Sequence, residues 1–141
     1  QGLVDAAPEE AWSGMPSGTT VGHVHLHVGD LDQAESFYHK AIGFNKTVWS
    51  YPGALFLSAG GYHHHLGTNV WAGDALPAEK DEAQLLEWTI VVPDSGDVEA
   101  VAQSLETAEY VTTRDGESCL TTDPWGTSLR IISSNAASWN P

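Results

Sequence analysis

Basic side chains are scarce in this sequence. Five lysines and arginines (Lys40, Lys46, Lys80, Arg114 and Arg130) face nineteen aspartates and glutamates, for a formal net charge of −14 over 141 residues. A field of that sign repels polyanions, so no nucleic acid and no membrane surface of anionic lipid is expected as a partner. The same imbalance suits a halophilic, acidic proteome, where counterions screen self-repulsion; an ordinary acidic surface is the alternative. Cysteine is rarer still. Cys119 stands alone, which excludes an internal disulfide and a thiolate cluster for zinc, and its apolar–polar setting predicts a buried strand position. No apolar run approaches the roughly 20 residues of a membrane-spanning helix, and no signal peptide is visible, so a cytoplasmic location is expected. There is no Gly-rich phosphate loop, because no helix start or lysine follows Gly60-Gly61. Neither Ser58 nor Ser118 lies in a nucleophile elbow. The chain opens on Gln1 rather than Met, which suggests trimming or a fragment of something longer.

What is present is enough for a folded α+β domain: 41% hydrophobic and 17% charged residues. Residues 1–20 carry Pro8, Pro16, Gly14 and Gly18 with little periodicity and read as a linker or N-terminal arm, with Trp12 and Met15 as packing anchors. Strict alternation over residues 21–28 predicts a strand with His23, His25 and His27 on one face and Val24, Leu26 and Val28 on the other. Asp30 offers a helix cap with Gln33 in the capping-box position; helical spacing continues from Leu31 to Ile42, and Gly43 stops it. Strands follow over 46–49 and 54–58, joined at Pro52-Gly53, and over 62–71. The second half repeats this order: a strand over 87–92, a cap at Asp94–Asp97, a helical stripe through Val98, Val101, Ala102 and Leu105, a hairpin at Asp115-Gly116 and a closing strand over 127–133. The expected organisation is therefore a first βαβββ module over 21–73, a linker over 74–84, a second module over 85–133 and a tail over 134–141. Such modules form a curled mixed sheet around a cleft with helices outside.

Six of the seven histidines lie in two short segments, His23, His25, His27 and His63, His64, His65. Imidazole is the commonest metal ligand, and period-two spacing presents alternate histidines to one side of a sheet. Overlaying the halves puts Glu87 opposite His23. Two histidines and a carboxylate with open positions make a non-haem iron(II) site, and the same set accommodates zinc, manganese or nickel. The expected metal set is His23, His65 and Glu87, with His64 as substitute because a one-residue register shift exchanges the two. The bland alternative is a hydrated polar sheet face beside a surface loop. His39, next to Lys40 on the helix, is expected at the surface. Tyr62, Trp71, Trp49 and Trp125 are placed to line a cleft for a flat organic ligand, or to serve as plain core.

The run Val21-Gly22-His23-Val24-His25-Leu26, followed by Asp30-Leu31 and by Phe37-Tyr38 and Gly43-Phe44, resembles the opening of a vicinal oxygen chelate module. That superfamily comprises glyoxalases, bleomycin resistance proteins and extradiol dioxygenases. Residues 53–65, ending in Tyr62-His63-His64-His65, are similar to the C-terminal half of bacterial two-domain catechol 2,3-dioxygenases, and Asp123-Pro124-Trp125-Gly126 to the turn before the closing strand. The resemblance covers residues 21 to about 133 and implies paired βαβββ modules with a divalent metal, iron(II) foremost, chelated by adjacent substrate oxygens. It implies His23 as the first ligand. The second position holds Glu87, and where a glutamate is implied on the last strand the chain has Arg130 or an uncharged neighbour. A guanidinium cannot bind a metal and opposes a dication.

Three functions follow as expectations. The first is extradiol ring cleavage of a small aromatic or vicinal-oxygen substrate, with His25 or His63 taking the catechol proton. The second is glyoxalase-type lyase or isomerase chemistry with redox-silent nickel or zinc. The third is a non-catalytic module of the same fold that binds an aromatic ligand or supports a partner domain. A homodimer, or a missing N-terminal domain carrying the chemistry, is the expected assembly.

Overall fold

The computed structural model describes residues 13–73, 78, 79 and 81–135. The expectations for Trp12, for most of the arm, for 74–77 and 80 of the linker and for 136–141 of the tail lie outside them.

Each half folds as a strand, a helix and three further strands. The first contains β1 (Val24–His27), α1 (Leu31–Ala34), β2 (Asn45–Tyr51), β3 (Ala54–Ser58) and β4 (Leu66–Asn69). The second contains β5 (Glu87–Val92), α2 (Ser95–Thr107), β6 (Thr112–Asp115), β7 (Ser118–Thr122) and β8 (Ser128–Ser133). Two four-stranded sheets result, ordered β1-β4-β3-β2 and β5-β8-β7-β6. In each, the first strand runs parallel to the last and the other pairs are antiparallel. The matching orders bear out the internal repeat.

Local chemistry explains the boundaries. Asp30 accepts from the Gln33 amide at 2.7 Å to start α1. The helix then widens into π geometry over Glu35–Ala41, with the Ile42 amide reaching back to the Phe37 carbonyl at 2.9 Å. His39 takes part in this turn: half-buried, it donates through Nδ1 to the Phe44 carbonyl, so it is not the plain surface residue that its neighbour Lys40 suggested. Asp94 and Asp97 form a complete capping box at the head of α2. Pro52-Gly53 turns as expected, with Gly53 at φ 69°. The second hairpin is shifted by one residue: Asp115 pairs with Ser118, so Gly116 (φ 60°) and Glu117 form the loop, in the φ pattern of a type II′ turn.

One hydrophobic core spans both halves. Leu26 and Val28 contribute the buried face of β1, Phe37, Tyr38 and Ala41 the helix, Leu57 and Leu66 the first sheet, and Val98, Leu105, Cys119, Leu129 and Ile131 the second half. Cys119 is fully buried, as its strand setting predicts, and that burial pushes its thiol up from the usual range. Met15 is exposed rather than packed as an anchor among the described residues. Trp125 packs close to Gly29, where a Cβ would stand 2.9 Å from the indole nitrogen, so this contact between the halves needs glycine. No helix among the described residues is long and apolar enough to cross a membrane.

Candidate metal centre

Alternation in β1 buries Leu26 and leaves His25 and His27 exposed on the opposite face. His23 stands just before the strand. The three consecutive histidines do not continue β4 as expected. That strand begins at Leu66, and His63–His65 belong to the loop that enters it. The loop is pinned at His65, whose amide donates to the Leu57 carbonyl at 2.8 Å and whose carbonyl accepts from the Val24 amide at 2.9 Å. This anchors the residue after His64 directly beside β1.

Three imidazoles converge there. His64 Nε2 lies 2.9 Å from His23 Nδ1 and 3.2 Å from His25 Nε2. One ring nitrogen from each of the three lies within 4.8 Å of the others. Nitrogens bound to a tetrahedral ion at 2.0–2.1 Å stand about 3.4 Å apart, so little movement separates the present spacing from a coordinating one. Gly67, paired with His25 across β1 and β4, makes room for the His25 ring: a Cβ would fall 2.7 Å from its Cε1. Burial, then the surrounding imidazoles of His23, His63, His25 and His65, hold His64 below the usual histidine range. A neutral ring keeps the lone pair that a metal requires.

The remaining candidates are placed differently. His65 turns Nδ1 to the Ala59 amide at 3.2 Å and the Ser58 hydroxyl at 3.1 Å, and it does not join the three. Because a backbone N–H only donates, Nδ1 is the acceptor and the His65 proton sits on Nε2. Glu87 is engaged by Arg130, at 3.0 Å from Nε and 3.4 Å from a terminal nitrogen. The same guanidinium reaches Asp115 at 2.8 Å and Ser118 Oγ at 3.3 Å. The strand registers give the reason. Val24 pairs with Leu66 as Trp88 pairs with Leu129, so Arg130 stands where the first half has Gly67. Where one half leaves a gap for an imidazole, the other fills it with a cation that ties down its own acidic groups.

His63 flanks the cluster, its ring centroid 4.7 Å from that of His23 and 4.2 Å from that of Tyr62. Phe56, which the sequence reading left out, touches it from β3 at 5.1 Å from His64. Its place in an alternating strand marks a face but not a neighbour. Of the other aromatic residues, Trp49 lies out beside Lys46 and Trp125 at the junction of the halves. A cleft of about 530 Å³ is lined by His23 and His65 together with mainly apolar residues such as Ile42, Phe44, Trp88 and Ile90.

Residues 20–129 match the profile described as Glyoxalase/Bleomycin resistance protein/Dioxygenase superfamily. Catechol-2,3-dioxygenase of Bacillus subtilis (strain 168) is 42% identical over 113 residues, covering 78% of this chain. The match spans 39% of that protein's length. Among solved structures, lactoylglutathione lyase from Agrobacterium tumefaciens superposes with a TM-score of 0.63 at 17% identity, covering 88% of this chain and all of the other. The fosfomycin resistance protein FosX from Listeria monocytogenes, solved with Mn(II) and sulfate, superposes with a TM-score of 0.59 at 16% identity, covering 84% and 91%. At those identities the structures speak for the fold.

Proposed function

The chain belongs to the glyoxalase/bleomycin resistance protein/dioxygenase superfamily, and on that premise we propose that it is a metal-dependent extradiol ring-cleavage domain acting on catechols. The observation that carries this reading is the convergence of His23, His25 and His64 on one point, in a chain 42% identical to a catechol-2,3-dioxygenase over most of its length. The donor set fits a divalent ion. Imidazole suits iron, zinc and nickel, and three donors leave positions open for two adjacent substrate oxygens. When bound, iron(II) supplies the Lewis acidity and redox chemistry that join a catecholate to dioxygen.

The residues themselves do the rest. Three neutral ligands leave the dication's charge uncompensated, which favours a substrate that arrives with or develops negative oxygens. His63, exposed beside His23, is placed to take a catechol proton. His25, the other candidate base, stands inside the ligand set instead. His65 offers a fixed Nε2–H donor next to the cluster.

The test is anaerobic reconstitution with iron(II), then oxygen uptake with catechol in wild type and His64→Ala. The reading predicts metal-dependent uptake that the variant abolishes. Stoichiometric iron without uptake would overturn it. The same all-nitrogen set favours one second reading, a zinc- or nickel-dependent lyase or isomerase, because no carboxylate is among the three donors. Turnover with zinc and no oxygen consumption is its signature.

A further inference from the structure

The histidine cluster continues into a row of aromatic rings along the same sheet face. Phe56 stands 6.3 Å from His25 and 5.1 Å from His64, Tyr51 stands 5.5 Å from Phe56, and Trp71 stands 6.2 Å from Tyr51. The two outer rings are held open to solvent: Tyr51 is 51% and Trp71 59% exposed. Neither is loose. The Trp71 indole donates to the Pro52 carbonyl at 3.1 Å, and the Trp71 amide to Asn69 Oδ1 at 3.2 Å. The indole lies so close over Gly53 that a Cβ there would stand 2.9 Å from its nitrogen. Tyr51 meets Phe56 edge to face, at 88° between ring planes. Large apolar rings fixed at the surface, each within ring contact of the next and the first against the donor cluster, are preorganised for a ligand that begins at the cluster.

A single ring whose oxygens sit at His23, His25 and His64 reaches Phe56, the neighbour of the donors. Tyr51 and Trp71 stand one and two rings further on, beyond what an unsubstituted catechol covers. We infer that Tyr51 and Trp71 are specificity-determining residues that select catechols bearing an aryl or bulky apolar substituent on the side away from the two oxygens. This rests on the ring-cleavage reading for the position of the oxygens. The platform itself rests on the ring geometry.

The experiment keeps the two apart. Zinc-loaded full chain, which cannot turn over, is titrated with catechol and with 4-phenylcatechol, read by calorimetry and tryptophan fluorescence. The expected result is about tenfold tighter binding of 4-phenylcatechol, from stacking contacts the bare ring lacks. Tyr51→Ala and Trp71→Ala should each cut that preference at least threefold and leave catechol affinity unchanged, while Tyr51→Phe and Trp71→Phe retain it. Both positions are exposed, so the variants fold. Equal affinity for the two diols in wild type, or a preference that survives both alanine variants, would overturn the inference with the metal reading intact. A chain that takes up no zinc but still prefers 4-phenylcatechol through Tyr51 and Trp71 would sink the metal reading and sustain the platform. Binding of neither diol would overturn both.

Discussion

The Tyr38 hydroxyl donates to Asp123 Oδ2 at 2.6 Å, joining the π-helical segment of the first half to the turn before β8 in the second. The other carboxylate oxygen accepts from the Trp125 amide at 3.0 Å and the Thr127 amide at 2.8 Å. Both residues are buried. Tyr38→Phe leaves one carboxylate oxygen unpaired and should cost about 1–3 kcal/mol, measured by urea denaturation. A pH effect follows. Burial, then the charge of Asp123, raises the Tyr38 hydroxyl well above the usual phenol range. The raised group stabilises the fold fully below the unfolded value near 10 and loses that contribution as pH rises beyond it. Wild type should therefore lose more stability than Tyr38→Phe between neutral pH and the alkaline range above about 10.

Gly67 is where the metal centre is most sensitive to one methyl group. Its Cβ would stand 2.7 and 2.8 Å from two atoms of the His25 ring and 3.3 Å from a third, so the whole imidazole must swing away. Gly67→Ala should weaken zinc binding at least tenfold by calorimetry, with an overpacking cost of about 1–3 kcal/mol that still leaves a folded protein. Zinc affinity equal to wild type would show that His25 is no ligand.

Glu87 and Arg130 supply the complementary test. Because Glu87 is engaged by Arg130 and is not among the three converging donors, Glu87→Gln should leave zinc affinity within about twofold. The ion pairs are partly exposed, so the stability lost should be small and should shrink further at high salt. A large loss of zinc in Glu87→Gln would restore the carboxylate to the ligand set.

Glu109 occupies the left-handed region at φ 64° just after α2. The Tyr110 amide bonds the Leu105 carbonyl at 2.9 Å and the Glu109 amide the Glu106 carbonyl at 3.0 Å, the two bonds of a Schellman cap, in which this position favours glycine. Glu109→Gly should raise stability by about 0.5–1 kcal/mol, visible as a higher melting temperature. An unchanged or lower value would mean that the Glu109 side chain makes up for its backbone.

His64 adds a pH dependence of its own. Its value is lowered by burial and then by neighbouring imidazoles, so the unfolded chain binds more protons than the fold does in acid. Stability of the metal-free protein should fall as pH drops below about 6.5, and His64→Ala should flatten that decline. A decline of equal slope in the variant would assign it to another group.

The architecture was legible in the residue order because its signals are local. Alternation from Val24 to Val28, the caps at Asp30 and Asp94, the Pro52-Gly53 turn and the repetition of the whole series depend on neighbours a few residues away. The six clustered histidines were legible for the same reason. Their division of labour was not. Parity assigns sides only within a strand, and His63–His65 lie in a loop, where the hydrogen bonds of His65 to Leu57 and Val24 decide what His64 meets. Glu87 could be judged only against Arg130 on the adjoining strand, and Tyr38 only against Asp123 at the far end of the chain. Secondary structure answers to short-range sterics and periodicity. A ligand set answers to which distant backbones are brought side by side, and that was decided by the pairing of β1 with β4 and of β3 with the loop that carries the histidines.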